Sequence, residues 1–485
     1  MYKTGEQIAF WARLKPDAIA FGDESHEVSF LELDTYTKQI AYVLREEGIK
    51  RGDLVATILP PYVGWLFTFA LYRLGVTTMS KNNLTAFSPS ATPDWLITLE
   101  AHPNIPANRT ILFDEKYLEK VNASKELEIE IGFESLNSPA ALFATSGTTG
   151  EAKYVMATAE ELRLIATRPG TDDSFGQDDV LSLLPFGAAW SSFHAVKCLT
   201  LGKPFFSCSF TDYRLPKVLN KYPVRTMIGS PAQISSFLEV QLQTGTKLPL
   251  LKSILIGGSV PSQQLIDRVK AQVDCTIYNT YGSTEAGHVT IYEIKDAKSA
   301  GAWVRPPVTL QIVDENHQIL PPHAVGQVRY QRPDMSKGYY KNAAATAEFF
   351  RDGFFYPGDR GYLDEHGRLF LDGRSNEVIN LGGVKLNPEI VDDIAMAQLG
   401  VVDCASFAFV DEAGVERLAI AVVANSDFDS ENFGKAMTKK SPHIPRYYIP
   451  VEKIPRNASG KVLRHELRAD FEAKNLTALN NKIWS

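Results

Sequence analysis

The chain has 485 residues with 44% hydrophobic and 22% charged side chains, a globular balance that excludes a disordered polypeptide and a single small core. Its formal net charge of -7 excludes the basic footprint of a nucleic-acid binder, yet leaves room for a local cluster of donors around a phosphate. Four cysteines (Cys198, Cys208, Cys275 and Cys404), none in a C-x-x-C pair, exclude a disulfide framework and a cysteine zinc site and point to a reducing compartment.

The segment from Met1 to Pro16 mixes charge with aromatics and lacks the apolar core of a signal peptide. A helix is predicted over 28–50, with Leu31, Leu33, Ile40, Val43 and Leu44 apolar and a stop at Gly48. Leu54 to Leu59 reads as a short buried strand ended by Pro60 and Pro61. A helix around Trp65–Leu74 follows and stops at Gly75; its apolar run ends at Arg73, too short to span a bilayer. These features predict a soluble, cytoplasmic protein with no integral membrane segment. Further on, strand-like runs at Ala141–Phe143, Val180–Leu184, Phe205–Phe206, Arg225–Ile228, Ser253–Ile256 and Thr276–Tyr278 alternate with helical patterns such as Ala232–Gln243 and Gln263–Val273. That alternation predicts an α/β fold with mainly parallel sheets.

After about residue 300 the pattern changes. Val308–Val313 and Gly326–Tyr330 read as short strands of a small, barrel-like β subdomain. Tyr362–Leu363 and Arg368–Leu371 flank Asp364-Glu365-His366-Gly367, a hairpin turn. A strand pair at Cys404–Phe409 and Leu418–Val423 belongs to a smaller, mobile α+β domain. The predicted organisation is a large α/β domain over 1–374 that binds nucleotide and acid, and a C-terminal domain over 375–485.

The strand at Ala141–Phe143 runs into Thr145-Ser146-Gly147-Thr148-Thr149-Gly150-Glu151-Ala152-Lys153. Hydroxyls, backbone N–H groups freed by glycine, and one lysine suit the oxygens of a polyphosphate. It is not a Walker A loop, which requires lysine directly after glycine. Taken alone, the same composition also serves an ordinary polar turn.

Four further motifs follow in order: Tyr281-Gly282-Ser283-Thr284-Glu285; Tyr356-Pro357-Gly358-Asp359; Gly373-Arg374 with Gly382-Gly383 and Pro388-Glu389; and Pro455-Arg456-Asn457-Ala458-Ser459-Gly460-Lys461. Together with the loop they resemble the adenylate-forming superfamily of acyl- and aryl-CoA synthetases, peptide-synthetase adenylation domains and firefly-type luciferases. Val28 to Leu33 resembles that family's N-terminal helix entry.

The resemblance implies an enzyme that makes an acyl-adenylate from ATP and a carboxylic acid, then passes the acyl group to the thiol of CoA. It also implies the site. The loop Thr145–Gly150 with Lys153, and Gly258, Tyr281, Asp359 and Arg374, would hold the nucleotide. Thr284 would touch the phosphates, and Glu285 would hold Mg²⁺, which prefers hard oxygen ligands. Lys461 would bridge the acid and the α-phosphate. Phe186, Gly187, Trp190, Phe193, Ser230, Gly257 and Gly282, with Gly258 and Tyr281, would surround the acid, an apolar or aryl one. Asn376 would be the hinge, where the family usually carries Asp or Lys. Gly382 and Gly383 would line the thiol tunnel.

Three departures stand out. Ala152-Lys153-Tyr154 replaces the usual Pro-Lys-Gly, so Tyr154 is expected to narrow the loop's surroundings. Gly187 stands where many CoA ligases have histidine, and is expected to widen the acyl or thiol tunnel. The stretch between Met79 and Ala140 is short for the family, which bears on the pocket and on a homodimer surface. His194 and His288 lack metal-ligand spacing and read as structural or surface residues. Two other readings stay open: loading of a separate acyl carrier protein's phosphopantetheine, and a non-catalytic adenylate-binding protein, which the retained Lys461, Glu285 and Asp359 disfavour.

Overall fold

The computed structural model describes residues 3–80, 91–102, 105, 107–124, 129–145, 153–167, 179–209, 212–261, 263–296, 301–374, 379–381, 384–386, 388–410, 416–440, 447–457 and 460–473. Two compact units emerge from the chain's contacts. One comprises Met1–Gly257, Arg268–Val289 and Arg332–Gly353; the other comprises Gly258–Asp267, Thr290–Gln331 and Phe354–Ser485.

The first unit opens with helix α1 (Thr4–Leu14), strands β1 (Ile19–Gly22) and β2 (Glu27–Ser29), and helix α2 (Phe30–Glu46). The helix predicted over 28–50 thus begins two residues later than its apolar periodicity suggests. The cause is a capping box: the Ser29 hydroxyl accepts from the Glu32 N–H, and the Glu32 carboxylate accepts from the Ser29 N–H at 2.8 Å. After β3 (Leu54–Ile58), helix α3 (Pro61–Leu74) starts on proline, whose missing N–H costs nothing at a first turn. It ends at Gly75 in the left-handed region, φ 68°, where an added Cβ would lie 2.1 Å from the Gly132 carbonyl oxygen.

Arg73 does not close the buried stretch of α3; it lies within it, 1% exposed. Its guanidinium donates to Asp34 on α2 at 2.6 Å, to Glu130 at 3.1 Å and to the Thr37 hydroxyl at 3.0 Å. Lys38 adds a second cation at 2.8 Å from Asp34. A buried cation needs such company, because desolvation of a lone one is prohibitive.

Two sheets carry the rest of this unit. The strands are β4 (Thr77–Ser80), β5 (Trp95–Thr98), β6 (Arg109–Leu112), β7 (Pro139–Thr145), β8 (Lys153–Thr158), β9 (Val180–Ser182), β10 (Phe205–Ser207), β11 (Thr226–Gly229), β12 (Ser253–Gly257), β13 (Thr276–Ser283) and β14 (Gly287–Glu293), the last leaving the unit after Val289. One sheet has the order β6-β5-β3-β4-β7-β8, the other β14-β13-β12-β11-β9-β10-β1-β2. The β3 to β7 core of the first and the β13 to β1 run of the second are parallel, as the strand–helix alternation predicts. At the sheet edges β8 turns back antiparallel on β7, and β2 antiparallel on β1.

The second unit holds a small antiparallel sheet. Gly326–Gln331 pairs with Thr309–Val313, Phe354–Phe355 and Asp359–Leu363, and the last pairs with Arg368–Arg374. The predicted hairpin at 364–367 is present: the Asp364 carboxylate accepts from the His366 and Arg368 N–H groups. Further along, Val401–Val410 runs antiparallel to Glu416–Ala424, which pairs in parallel with Tyr447–Pro450. Alternation sorts the side chains of this sheet. Cys404, Leu418, Ile420 and Val422 pack with Val391, Ala395, Phe433 and Met437 from the helices Pro388–Met396 and Ser430–Lys440. Ala405, Phe407, Phe409, Ala419 and Ala421 face the other way, onto Leu467 and Phe471 of the helix Arg464–Ala473. A sheet covered by helices on both faces is the predicted α+β part. Among the described residues no helix is long and apolar enough to cross a membrane.

Candidate active site

Parallel strands deliver the candidates to one edge. In the order β13-β12-β11-β9, Tyr281 lies two residues inside the end of its strand, Gly257 is the last residue of its own, Ser230 follows the end of the third, and Phe186 comes four residues after the end of the fourth. Ligands of open α/β sheets bind outside such carboxyl ends. Gly257 lies opposite Thr280 across the β12–β13 pair. An added Cβ at Gly257 would come within 2.7 Å of the Trp190 ring, so glycine is required there for the indole to lie on the strand.

The indole is flanked by two histidines. The ring centroids of Trp190 and His288 are 5.4 Å apart, edge to face, and His288 Nδ1 is 2.6 Å from the Thr280 hydroxyl. His194, one helical turn beyond Trp190, lies 6.4 Å from it. Burial, with smaller contributions from His288 and Lys197, pushes the His194 imidazolium down to about 3, so this ring is neutral at any ordinary pH. Both histidines are half-buried parts of the Trp190 cluster.

Other candidates are built into the frame. Phe186 is 2% exposed, and its ring packs edge to face on Trp65 of α3 at 5.1 Å. Phe193 meets Phe143 of β7 at 5.3 Å. Ser230 caps the helix Pro231–Thr244 in a second capping box with Gln233. Gly187 does not open a void. Its φ is 86°, and an added Cβ would lie 2.7 Å from the Ser80 Cβ, so close backbone approach explains the glycine and the expected widening is absent. The expected narrowing by Tyr154 is absent too. Strand alternation turns this side chain away from Lys153 and into the core with Leu54, Met79, Leu96 and Leu142.

The phosphate-loop candidate is the tip of the β7–β8 hairpin. Its ends, Thr145 and Lys153, are register partners, and the Thr145 hydroxyl donates to the Lys153 carbonyl at 3.4 Å. Ser146, Gly147, Thr148, Thr149 and Gly150 lie outside the described residues. The Lys153 ammonium has aromatic company, 3.8 Å from the Phe349 ring centroid and 5.6 Å from that of Tyr339, and no acidic partner among the described residues. A cation–π contact is worth about 0.5–2 kcal/mol, little enough for a polyphosphate to draw the ammonium away.

Thr284, Glu285 and Ala286 form the turn between β13 and β14. An added Cβ at Gly282 would lie 2.1 Å from the Gly287 carbonyl oxygen, which is why the turn is bounded by glycines. Glu285 is 7% exposed, its carbonyl accepts from the Ser336 N–H at 2.8 Å, and its carboxylate accepts from the Tyr339 hydroxyl at 2.6 Å. Arg332 supports the same turn by donating to the Ala286 and His288 carbonyls. Tyr339, Phe349 and Arg332 carry no motif of their own; only the glycine before Tyr339, in a Gly-Tyr-Tyr run, hints at a packed turn.

In the second unit, Asp359 and Arg374 are cross-strand partners, brought together across 15 positions by the hairpin, and Asp359 is 7% exposed. Gly258, which follows the end of β12, has φ 93° and open space where a Cβ would be. Lys461 sits on a tight turn. Its N–H donates to Asn457 Oδ1 at 2.9 Å, its carbonyl accepts from the Asn457 N–H at 2.8 Å, and Gly460 takes φ 82°. Arg456 anchors the turn, donating to the Gly460 carbonyl and to Asp403. Asn376, Gly382 and Gly383 lie outside the described residues. Among the described residues no cluster of three or more His, Cys, Asp or Glu side chains could hold a metal by itself.

The family model for AMP-binding enzymes matches residues 8–340, more than half the chain. The chain belongs to the AMP-binding enzyme family. Among curated relatives of this AMP-binding enzyme, the 2-succinylbenzoate–CoA ligase of Bacillus mycoides (strain KBAB4) is 26% identical over 484 residues, covering 94% of this chain and 96% of that one. Among solved structures, the Bacillus subtilis o-succinylbenzoate CoA synthetase MenE with its acyl-adenylate OSB-AMP has a TM-score of 0.80 at 22% identity, covering 96% and 99% of the two chains. The anthranilate CoA ligase AuaEII with anthranoyl-AMP has a TM-score of 0.84 at 16% identity, covering 98% of each. These likenesses show an adenylate-forming fold with a large α/β part and a smaller C-terminal part, as the motifs imply.

Proposed function

We propose that this enzyme activates a carboxylic acid with ATP and transfers the acyl group to CoA. The observation that carries the reading is the pairing of a buried acidic turn, Glu285, with a nearby phosphate-loop lysine, Lys153, that has no acidic partner among the described residues. Relatives matched over 94% of the chain are named as CoA ligases, which supports the second half-reaction. In the first half-reaction an acid oxygen attacks the α-phosphorus, the bond to the bridging oxygen breaks, and pyrophosphate leaves. In the second the thiol sulfur attacks the acyl carbon, the carbon–oxygen bond to AMP breaks, and the thiol proton is lost to solvent or base.

The roles follow from charge. Negative charge gathers at the α-phosphate beside the acid's own carboxylate, so oriented donors are needed there. Lys153, Thr145 and the loop between them hold the polyphosphate. Thr284 touches it as well. Lys461 bridges the acid and the α-phosphate. Asp359, an acceptor beside Arg374, takes the ribose hydroxyls. A buried carboxylate with one oxygen already oriented suits Mg²⁺, which is usually held by one or two carboxylates together with phosphates and water, so the Glu285 geometry fits the ion. The ion would shield the polyphosphate charge. Trp190, Phe193, Gly257 and the neutral His194 offer an aryl acid a flat, uncharged surface.

The C-terminal part, 375–485, carries Lys461 and turns about Asn376, so that Gly382 and Gly383 admit the thiol after adenylation. The experiment is mass spectrometry of ATP, Mg²⁺ and a panel of aryl and aliphatic acids, each with and without CoA. Acyl-CoA that vanishes in Lys461→Ala is the expected result. Acyl-AMP without acyl-CoA would move the acceptor to a carrier protein's phosphopantetheine. No adenylate from any acid would overturn the reading.

A further inference from the structure

Tyr339 belongs to none of the five motifs, yet it touches two of them. Its hydroxyl donates to Glu285 Oε1 at 2.6 Å, and both residues are 7% exposed. Its ring lies beside Lys153, 5.6 Å from the ammonium, and edge to face with Phe349 at 6.0 Å.

The backbone of Tyr339 is held from three sides. It bridges to Val155 of β8, two residues from Lys153. Its N–H donates to the Thr346 hydroxyl at 2.9 Å, and its carbonyl accepts from the Asn342 N–H at 3.3 Å. The next residue, Tyr340, donates its N–H to the Tyr154 carbonyl at 2.8 Å. Around the ring, Val155, Ala345, Phe349 and Phe350 form a small apolar cluster. The hydroxyl is therefore presented from a rigid base.

We infer that Tyr339 is a positioning residue for the metal-bound nucleotide: it fixes the Glu285 carboxylate by occupying Oε1 and so presents Oε2 to the ion. A carboxylate on a turn can otherwise rotate about its last bond. An O–H···O⁻ bond of this length is among the strong, directional ones. Hydrogen-bonded partners behind a metal ligand are commonly worth roughly 10- to 100-fold in metal affinity. This inference rests on the reading of Glu285 as the magnesium carboxylate.

The test compares ATP affinity in EDTA with ATP affinity at saturating Mg²⁺, by calorimetry, for the wild type, Tyr339→Phe and Phe349→Leu. Tyr339→Phe keeps the ring against Lys153 and loses only the hydroxyl. Its affinity in EDTA is expected to stay within about twofold of the wild type, its Mg·ATP affinity to fall roughly 10- to 100-fold, and its melting temperature to drop only slightly, as the loss of one buried hydrogen bond dictates. Phe349→Leu loosens the Lys153 site but leaves the hydroxyl, so the gain on adding Mg²⁺ is expected to persist. Equal losses with and without Mg²⁺ in Tyr339→Phe, no loss at all, or the same metal-specific loss in Phe349→Leu would each overturn the inference while the reading of Glu285 stood. A wild type that gains nothing from Mg²⁺ would overturn that reading and the inference with it.

Discussion

Replacing Glu130 by glutamine should remove a specific part of the protein's pH dependence. Glu130 lies behind α3, 18% exposed, with Arg73 at 3.1 Å; Lys3 and Glu6 are its other charged neighbours. Burial outweighs the attraction of Arg73 and pushes the carboxyl from its ordinary 4.5 up to about 7. Below 4.5 the folded and unfolded chains both hold the proton. As pH rises from there, the unfolded chain releases it first, so stability is fully present below the unfolded value and is lost up to about 7. The distance from 4.5 to about 7, at about 1.36 kcal/mol per pH unit, corresponds to about 3 kcal/mol. Glu130→Gln keeps an oxygen for Arg73 and cannot titrate. Hydrogen exchange of peptides from α1 and α3, corrected for intrinsic rates at pH 5 and pH 7.5, should show wild-type protection falling by about that amount and the variant's staying nearly level. Equal pH slopes in the two proteins would refute the reasoning. Arg73→Ala leaves Asp34 and Glu130 without their buried cation and should cost about 3–5 kcal/mol by the same measurement.

Other expectations concern the site. Lys461→Ala should slow acid-dependent pyrophosphate exchange by roughly 100- to 1000-fold, the usual effect of deleting one oriented donor to developing charge, while the turn held by Arg456 and Asp403 keeps the domain's melting temperature. Gly187→Ala meets both a positive φ and the Ser80 contact, so thermal unfolding should report a loss of about 1–3 kcal/mol. Gly257→Ala pushes against the Trp190 ring, and steady-state kinetics should show a higher KM for the acid with little change in the KM for ATP. Were the two KM values to rise together, Trp190 would not belong to the acid surface.

What could be read in advance was what repeats locally. The runs at 226–229 and 253–257 are apolar strands bounded by glycine, and the structure has them where the alternation places them. The Y-G-S-T-E turn and the lysine turn at 461 announce themselves because their glycines and polar residues are adjacent in sequence. Tyr339 was invisible because its partner lies 54 residues away and neither residue alone departs from ordinary composition. Gly187 invited the inference of a vacant space; only the Ser80 backbone, more than 100 positions earlier, shows the space to be filled. Tyr154 and Lys153 look equivalent in a loop, but β8 is a strand, and alternation sends them to opposite sides. Arg73 looked like the end of an apolar run because charge is ordinarily surface, and its acidic partners come from α2 and residue 130.

The register of the β7–β8 hairpin also bears on how this loop can be altered. Thr145 and Lys153 face each other as strand partners, so the seven residues between them form a cassette with clamped ends. Loop closure costs only about 0.6 kcal/mol for each doubling of length, so residues added within the cassette leave the anchors where they are. A single residue added inside β8 is another matter: the period of two would send the lysine to the core side and a neighbour to the ligand side. Grafting a foreign phosphate loop onto this scaffold is therefore a matter of cutting at 145 and 153, and the same rule marks which insertions natural variants of the chain can carry.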